Sequence, residues 1–318
     1  MIIKKAFSFL NSILLLKNFK YSFVFIKGAN SWRPIKKLNF IIQNGYVISK
    51  DGTSRFKTIN LKRFNFSITN VHDAIEKFIF IEDGDTVKFT PKVSPQAIFH
   101  LKQYDNINAA NEIFYEGLYN IKINKASIVF DVGANVGIAS LFFSKLPFIE
   151  KVIAFEPFPS SYHQAIQNLA LNNSHKIEVL NFGLSNEEKE ISVPNVADGF
   201  MGASTTEFFI EEQKKIFDLP ASKINIILKK ASVFFKQKMD ENEDVDYILK
   251  LDCEGAEYEI IYDLNENNLL KKFSVIIVEW HFKGPEPIVS SLQKSGFSVL
   301  EFSRNVGSPM GMIYAFKK

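Results

Sequence analysis

Cysteine is almost missing from this sequence, since Cys253 is the only one in 318 residues. A single cysteine cannot form an internal disulfide, and it cannot supply the several thiolates of a cysteine-rich zinc site. Small extracellular proteins held together by disulfides are therefore excluded as a class. We expect the chain to work in a reducing compartment, the cytoplasm.

A surplus of charge of one sign is also lacking. The 38 basic residues are nearly balanced by 35 acidic ones, which leaves a formal net charge of +3 at pH 7. Proteins that bind DNA or RNA usually carry a concentrated basic surface. So small a surplus, spread along the whole chain, argues against a nucleic-acid partner.

No apolar run in the sequence reaches the roughly 20 residues that a membrane-spanning helix needs. Near the N-terminus the apolar residues 6–16 follow the basic segment 1–5, but Lys17 and Lys20 stand where the cleavage site of a secretion signal would lie. We predict a basic amphipathic helix over residues 1–27 that packs on the protein itself. Peripheral contact with an anionic membrane surface, at the inner face of the membrane, is the alternative.

Apolar residues are abundant, at 46% of the total, and can form a sizeable core. Residues 28–94 combine short alternating runs with turn dipeptides, which are typical of β-hairpins. These dipeptides are Asn44-Gly45, Asp51-Gly52 and Asp83-Gly84. We therefore predict a small β-rich N-terminal region at 28–94.

Residues 95–318 show a different pattern of predicted elements. A helical stretch at about 95–119 is followed by apolar strands that alternate with helices. This pattern predicts an α/β domain with a doubly wound, mostly parallel sheet. The predicted strands are Ile128–Val132, Val152–Phe155, Ile177–Asn181, Tyr247–Leu251, Ser274–Glu279, Val299–Phe302 and Met312–Phe316. The stretch 185–246 is too long for a simple connection, and we predict that a hairpin at 189–209 and a helix at 211–238 shape a substrate pocket.

The most specific motif is the turn that follows the first of these strands. Its residues Asp131, Gly133, Ala134, Asn135 and Gly137 are all candidates for cofactor binding. A dinucleotide site would have glycine where Asn135 and Ile138 stand, so a pyrophosphate fits poorly. An acidic side chain at position 131 would instead favour a cationic ligand such as S-adenosylmethionine. An ordinary connection from strand to helix is the alternative.

The second motif is Glu156-Pro157-Phe158, at the end of the next strand. Glu156 can accept both hydroxyl groups of a ribose, and Phe158 can flank an adenine. An acidic residue that merely starts a helix is the alternative. Gly183, after the third strand, completes the predicted cofactor site.

Candidates for the reaction itself follow the fourth and fifth strands. Asp252 and Glu254 can bind an acceptor hydroxyl group or take its proton, and capping of the following helix is the alternative role. His281 is a candidate general base, against the alternative of a solvent-facing loop histidine. Lys250 needs a partner in its apolar strand, and we expect Glu279 to supply it.

The predicted site contains no metal. The alternative is a magnesium ion held by Asp252, Glu254 and a third oxygen ligand. We rank it second because no further clustered carboxylate or amide is evident in the sequence.

Taken together, these motifs resemble those of FkbM-type methyltransferases over about Ile113 to Lys318. The resemblance rests on Phe130-Asp131-Val132-Gly133-Ala134-Asn135-Val136-Gly137, Ala154-Phe155-Glu156-Pro157, Leu184-Ser185-Asn186, Gly202-Ala203-Ser204 and, above all, Lys250-x-Asp252-x-Glu254-Gly255-x-Glu257. It implies a class I methyltransferase (Rossmann-like) fold, with a seven-stranded sheet whose final strand is antiparallel. It also implies O-methylation of sugars or other secondary-metabolite hydroxyl groups. The family's asparagine-containing helix corresponds here to the segment with Asn168 and Asn172.

The resemblance further implies that Asp131, Gly133, Asn135 and Glu156 line the cofactor site. The sequence thus predicts an S-adenosylmethionine-dependent methyltransferase whose acceptor is a hydroxylated small molecule, glycan or glycolipid. Asp252, Glu254 and His281 would orient and deprotonate it. Two alternatives stay open: an NAD-dependent oxidoreductase, and a binding protein that kept the fold without activity.

Overall fold

A computed structural model of the chain describes residues 22–26, 31–35, 39–64, 66–195, 203–214, 220–240, 245–303 and 309–318. The chain divides into two compact units, Met1–Asn111 and Glu112–Lys318. Among the residues described, no helix is both long enough and apolar enough to cross a membrane.

The first unit consists mainly of strands that neighbour one another in chain order. These are β1 (Ser22–Ile26), β2 (Ser31–Ile35), β3 (Phe40–Gln43), β4 (Tyr46–Ser49), β5 (Arg55–Lys57), α1 (Ile59–Arg63), α2 (Ile68–Lys77), β6 (Phe78–Asp83), β7 (Thr86–Pro91), β8 (Phe99–His100) and α3 (Asp105–Phe114), the last of which crosses into the second unit. β1 and β2 form an antiparallel pair, and β3 to β8 form one six-stranded sheet. Only the β5–β6 pairing in that sheet is parallel.

The hairpins predicted at the turn dipeptides are confirmed. Asn44 and Gly45 have φ values of 50° and 77°, the left-handed conformation that a two-residue turn between β3 and β4 requires. Gly84, at φ 58°, belongs to the turn between β6 and β7, where Asp83 pairs with Thr86. The Asp51-Gly52 turn joins β4 to β5.

Phenylalanine fills the core of this unit. The rings of Phe56 and Phe80 have centroids 5.3 Å apart, and those of Phe89 and Phe99 are equally close. All four side chains are buried. Aromatic pairs at this distance add to the stabilisation that comes from removing apolar surface from water.

The N-terminal part of the chain differs from the sequence predictions in its boundaries. Residues 1–21 and 27 of the helix predicted over 1–27 lie outside the described residues, and Ser22–Ile26 form the strand β1, as its valine, isoleucine and phenylalanines favour. The division between Asn111 and Glu112 lies beyond the predicted boundary at 95. The reason is that Phe99–His100 pair with β7 and extend the first sheet.

The second unit alternates strands and helices. Its elements are β9 (Ser127–Val132), α4 (Ile138–Ser144), β10 (Ile149–Phe155), α5 (Pro159–Leu171), β11 (Ile177–Leu180), β12 (Gly183–Ser185), β13 (Lys189–Pro194), α6 (Glu207–Lys214), β14 (Lys223–Lys230), α7 (Ala231–Asp240), β15 (Asp246–Leu251), α8 (Glu257–Glu266), β16 (Val275–His281), α9 (Glu286–Lys294), β17 (Phe297–Ser303) and β18 (Met310–Lys317). All seven strands predicted for the main sheet are present, each within three residues of its predicted ends.

The main sheet has the strand order β11-β10-β9-β15-β16-β18-β17. Its pairings are parallel except those of β18, which is antiparallel to β16 and to β17. The chain runs outward from β9 on one side and resumes at β15 on the other, so the order reverses between these two strands. This confirms the doubly wound α/β fold of the class I methyltransferase type, and it places the expected ligand crevice at the carboxyl ends of β9 and β15.

The central strands are covered on both faces. Every residue of β9 is buried, and Phe130 stacks on Tyr247 of β15 at a centroid distance of 5.7 Å. The ring of Phe235, on α7, also packs against Phe130, with the two centroids 4.8 Å apart. Removing a buried phenylalanine of this kind typically costs about 3–5 kcal/mol, so this cluster contributes strongly to the stability of the central strands.

The helix predicted at 211–238 is wrong. This stretch contains the end of α6, the strand β14 and most of α7. β14 pairs with β13 and β12 in a three-stranded sheet, so the hairpin partner of β13 lies beyond the predicted range 189–209. The apolar side chains of Ile224, Ile226 and Leu228 recur at every second position, which is the period of a strand.

Candidate active site

The turn after β9 depends on glycine at a close backbone contact. Gly133 has φ 79°, and a Cβ atom placed on it would lie 1.8 Å from the carbonyl oxygen of Asp252. Asn135 is also left-handed at φ 50°, and Gly137, at φ 82°, caps the N-terminus of α4. The turn after β9 and the turn after β15 are therefore in direct contact.

Asn168 braces this turn from α5. Its Nδ2 atom donates a hydrogen bond of 2.8 Å to the carbonyl oxygen of Val136, and the residue is fully buried. Asn172 lies at the end of the same helix and donates to the carbonyl of Asn168. The asparagine-containing helix is therefore α5, and it stabilises the glycine turn through the hydrogen bond from Asn168.

Glu156, at the end of β10, is held by two backbone amides. Its Oε2 atom accepts from the N–H of Asn135 at 2.8 Å, and its Oε1 atom accepts from the N–H of Phe158 at 2.9 Å. Burial raises the pKa of the Glu156 carboxyl to about 7, although both amides favour its charged form. The carboxyl group thus titrates near neutral pH.

Asp131 does not face the cavity, because two neighbours occupy its carboxylate. Lys250 lies 2.9 Å from its Oδ1 atom, and the Ser140 hydroxyl donates to its Oδ2 atom. The ammonium group also donates to the carbonyl of Gly133 at 2.8 Å. Burial by itself would lower the pKa of Lys250, but Asp131 and Asp252 raise it above its ordinary value. The pairing predicted between Lys250 and Glu279 is therefore wrong, and the partner of Lys250 is Asp131.

A cavity of about 660 Å³, open solvent at its mouth included, lies at the carboxyl edge of the sheet. Seven of the predicted site residues line it: Gly133, Asn135, Glu156, Phe158, Gly183, Asp252 and Glu254. Asp131, Ala134, Gly137 and His281 do not contribute to its lining. The structure thus brings five of the eight residues predicted for the cofactor and two of the three predicted for the acceptor into the lining of one cavity.

Two buried oxygen atoms in this wall lack a hydrogen-bond partner among the described residues. They are Oδ1 of Asn135 and Oγ1 of Thr205. Buried polar atoms are usually paired, so these two are available to a bound molecule. Thr205 was missed by sequence reasoning, although it directly follows the motif Gly202-Ala203-Ser204.

The turn after β15 presents Glu254 in a left-handed conformation, at φ 53°. Ser204 fastens this turn by donating to the Glu254 carbonyl at 2.6 Å. Burial raises the pKa of the Glu254 carboxyl to about 7; His281 opposes the rise and Asp252 adds to it. The charge of Asp252 therefore acts on the Glu254 carboxyl across a short distance.

His281 lies behind Glu254 and is not solvent-facing. Its Nδ1 atom is 3.0 Å from Oε1 of Glu257, and its Nε2 atom is 3.7 Å from Oε2 of Glu254. Burial lowers the pKa of the imidazole, but the hydrogen bond to Glu257 and the charge of Glu254 raise it to about 10. Both ring nitrogens face carboxylates and the residue does not line the cavity, which argues against the predicted role of His281 as general base.

Glu257 is a buried carboxylate that accepts hydrogen bonds from two backbone amides of the site. It opens α8, is fully buried, and accepts hydrogen bonds from the N–H of Gly255 at 2.8 Å and of His281 at 3.0 Å. One carboxylate therefore joins the turn after β15 to the end of β16. The sequence signal was the glutamate that ends the motif Glu254-Gly255-x-Glu257.

Comparison with known proteins gives three related results. The model of the methyltransferase FkbM domain matches residues 131–299. Methyltransferase sdnD of Sordaria araneosa is 28% identical over 214 residues, which cover 59% of this chain and 80% of the relative. Methyltransferase 1 of Beauveria bassiana is 24% identical over 199 residues, or 59% and 79% of the two chains.

Among solved structures, the methyltransferase FkbM from Methylobacillus flagellatus KT superposes with a TM-score of 0.39 at 13% sequence identity. The match covers 65% of this chain and 48% of that one.

Proposed function

The chain belongs to the FkbM methyltransferase family, and on that premise we propose that it transfers a methyl group from S-adenosylmethionine to a hydroxyl group of a sugar, glycan, glycolipid or other secondary-metabolite acceptor. The observation that carries the proposal is the cavity in which the ends of β9, β10 and β15 meet. There the glycine turn, Glu156 and the pair Asp252 and Glu254 share one wall.

The cofactor side of the cavity suits a nucleoside joined to an amino acid. Glu156 would accept the ribose hydroxyl groups, and Phe158 would flank the adenine. The unpaired Oδ1 atom of Asn135 would accept from an N–H or O–H group. Asp131 contributes indirectly, because its pairing with Lys250 anchors an ammonium group that also holds the Gly133 carbonyl.

On the acceptor side, Asp252 and Glu254 offer the carboxylate oxygens. Bound S-adenosylmethionine would supply the methyl group: a C–O bond would form as the C–S bond breaks, S-adenosylhomocysteine would be the leaving group, and Asp252 or Glu254 would accept the hydroxyl proton. Either carboxylate can accept a hydrogen bond from that hydroxyl group and direct its oxygen toward the cofactor side. His281 would hold Glu254 in place rather than take the proton.

Calorimetric titration with S-adenosylhomocysteine tests this function. We expect the wild-type chain to bind it and not NAD, and the Glu156→Ala variant to lose about 10- to 100-fold in affinity, because hydrogen bonds to a charged group contribute about 1.5–3 kcal/mol. The matched control is Glu178→Ala, which removes an exposed carboxylate on β11 whose partner is Lys151. NAD binding would support an oxidoreductase instead, and failure of the folded wild-type chain to bind S-adenosylhomocysteine would refute the proposal.

The affinity for S-adenosylhomocysteine should also depend on pH, because Glu156 must be ionised to accept the ribose hydroxyl groups. Ribose hydroxyl groups donate to the ionised carboxylate, so binding below pH 7 must first release the proton that burial keeps on this group. The charged groups that act on Glu156 are Lys250 and Asp131, which are paired with each other. Affinity should rise from pH 6 to about pH 7.5 and then level off, and the Glu156→Ala variant should show no such rise.

A further inference from the structure

Two carboxylates of the cavity lining and one imidazole behind them lie close together on the acceptor side. One ligand atom from each of Asp252, Glu254 and His281 lies within 4.8 Å of the others. We propose that this three-ligand cluster binds one divalent cation, and that it prefers Mn²⁺ to Mg²⁺. The preference follows from the ligands, because an imidazole nitrogen suits a transition metal better than it suits magnesium.

His281 is oriented as a metal-binding histidine would be. Glu257 holds its Nδ1 atom at 3.0 Å and also accepts from its backbone N–H, while the side chain is only 2% exposed. The Nε2 atom has no hydrogen-bond partner among the described residues and lies 3.7 Å from Oε2 of Glu254, and a cation would bind there in place of the Nε2 proton. A carboxylate that binds one nitrogen of a histidine and turns the other toward a metal is the usual second layer of such sites.

The two carboxylates can adjust to a cation. The side chains of Asp252 and Glu254 are 31% and 25% exposed, so both can rotate toward a common centre. Coordination bonds of about 2.0–2.2 Å require the three atoms to move closer together, and the mobile members of the cluster are these carboxylates. The buried imidazole of His281 keeps its position, and the two carboxylates would move toward it.

The concentration of carboxylates at this place also favours a cation. Asp252, Glu254 and Glu257 surround His281, whereas the ammonium group of Lys250 lies 2.9 Å from Asp131 and 3.7 Å from Asp252. Lys250 therefore interacts mainly with Asp131 and the Gly133 carbonyl, on the cofactor side. Like charges so close together disfavour one another unless a cation lies between them.

The chemical role of the cation rests on the proposed function. A divalent ion at the three-ligand cluster could polarise the oxygen of an acceptor hydroxyl group and ease the loss of its proton. Its binding, however, depends only on the positions of the three side chains. Binding of the metal can therefore be tested without an acceptor.

The experiment titrates the full chain, freed of metal by chelator, with Mn²⁺ and follows the free ion by electron paramagnetic resonance. We expect one Mn²⁺ per chain. Glu254→Gln and Asp252→Asn should each weaken binding by at least about tenfold, because a ligand should matter no less than its second-layer partner. The matched control Glu266→Gln, on the exposed face of α8, should bind as the wild-type chain does. Circular dichroism confirms that each variant is folded.

Two outcomes would overturn the site: a folded wild-type chain that binds no Mn²⁺, or binding that survives in both Glu254→Gln and Asp252→Asn. Equal displacement of Mn²⁺ by the same concentration of Mg²⁺ would overturn the preference and the role of His281 as a ligand. The titration with S-adenosylhomocysteine separates the two proposals. A chain that binds it but no Mn²⁺ refutes only the metal site, and the reverse result refutes only the proposed function.

Discussion

Gly133 combines two requirements that can be separated by experiment. Its backbone is left-handed, and its Cα lies so close to the Asp252 carbonyl that a side chain has no room. Gly296 shares only the first requirement, since its φ is 91° and a Cβ atom there would meet nothing within 4 Å. The two positions lie in the same unit and form a matched pair.

The Gly296→Ala substitution should lower the free energy of unfolding by about 1–2 kcal/mol, the ordinary penalty for a left-handed alanine. Gly133→Ala should cost at least about 2 kcal/mol more, because the Asp252 backbone must also move. Urea unfolding of both variants measures the difference. Equal losses would show that the contact between the two turns is not stabilising.

At the scale of elements, β9 and β15 are joined by a buried ion pair as well as by their hydrogen bonds. Asp131 and Lys250 are opposite each other in the parallel register of these strands, and both side chains are almost fully buried. A buried charge that loses its partner is strongly destabilising, whereas loss of both charges is much less so.

The Lys250→Met variant should therefore lose about 3–5 kcal/mol of stability, because it leaves the Asp131 carboxylate buried and unpaired. Adding Asp131→Asn should recover part of that loss. Urea unfolding of both single variants and the double variant gives the coupling energy. Additivity to within about 0.5 kcal/mol would contradict the pairing.

The strands of the main sheet could be predicted from the sequence because each is a continuous apolar run with turn residues at its ends. The partner of Lys250 could not, since Asp131 and Glu279 both lie on strands adjacent to β15 and the sequence does not say which carboxylate points toward the ammonium group. β14 was missed for another reason. Its alternation of apolar residues is interrupted by Ile227, which is exposed, so the period of two was not apparent.

Among the site residues, those near a glycine or at a strand end could be predicted from sequence. Gly133, Glu156 and Asp252 line the cavity as their positions suggested. The burial of His281 and the central contacts of Glu257 could not be predicted, because both depend on how α8 packs beside β16. The hydrophobic periodicity of a segment predicts its secondary structure, but not how that segment packs against another one.

At the scale of the whole molecule, the chain consists of two compact units with the cavity confined to one of them. Every residue that lines it lies between Val132 and Ala256. The first unit has its own sheet and its own aromatic core. Cofactor binding should therefore be a property of the second unit alone.

A fragment from Gln103 to Lys318, which keeps α3 whole, should bind S-adenosylhomocysteine within about threefold of the affinity of the full chain. The reason is that it retains every lining residue and the main sheet. Calorimetry on both proteins, with circular dichroism as the check on folding, decides the matter. A folded fragment that has lost binding would show that the first unit takes part in holding the cofactor.

The contact of Gly133 with the Asp252 carbonyl also bears on how this enzyme can be altered. The contact involves the backbone of position 252, so a substitution in the segment 252–255 that shifts this backbone would push its carbonyl against Gly133 and displace the cofactor turn. The segment 203–210 offers a better starting point. It reaches the same cavity through Ala203 and Thr205 without forming part of the main sheet, and new acceptor preferences should be sought there first.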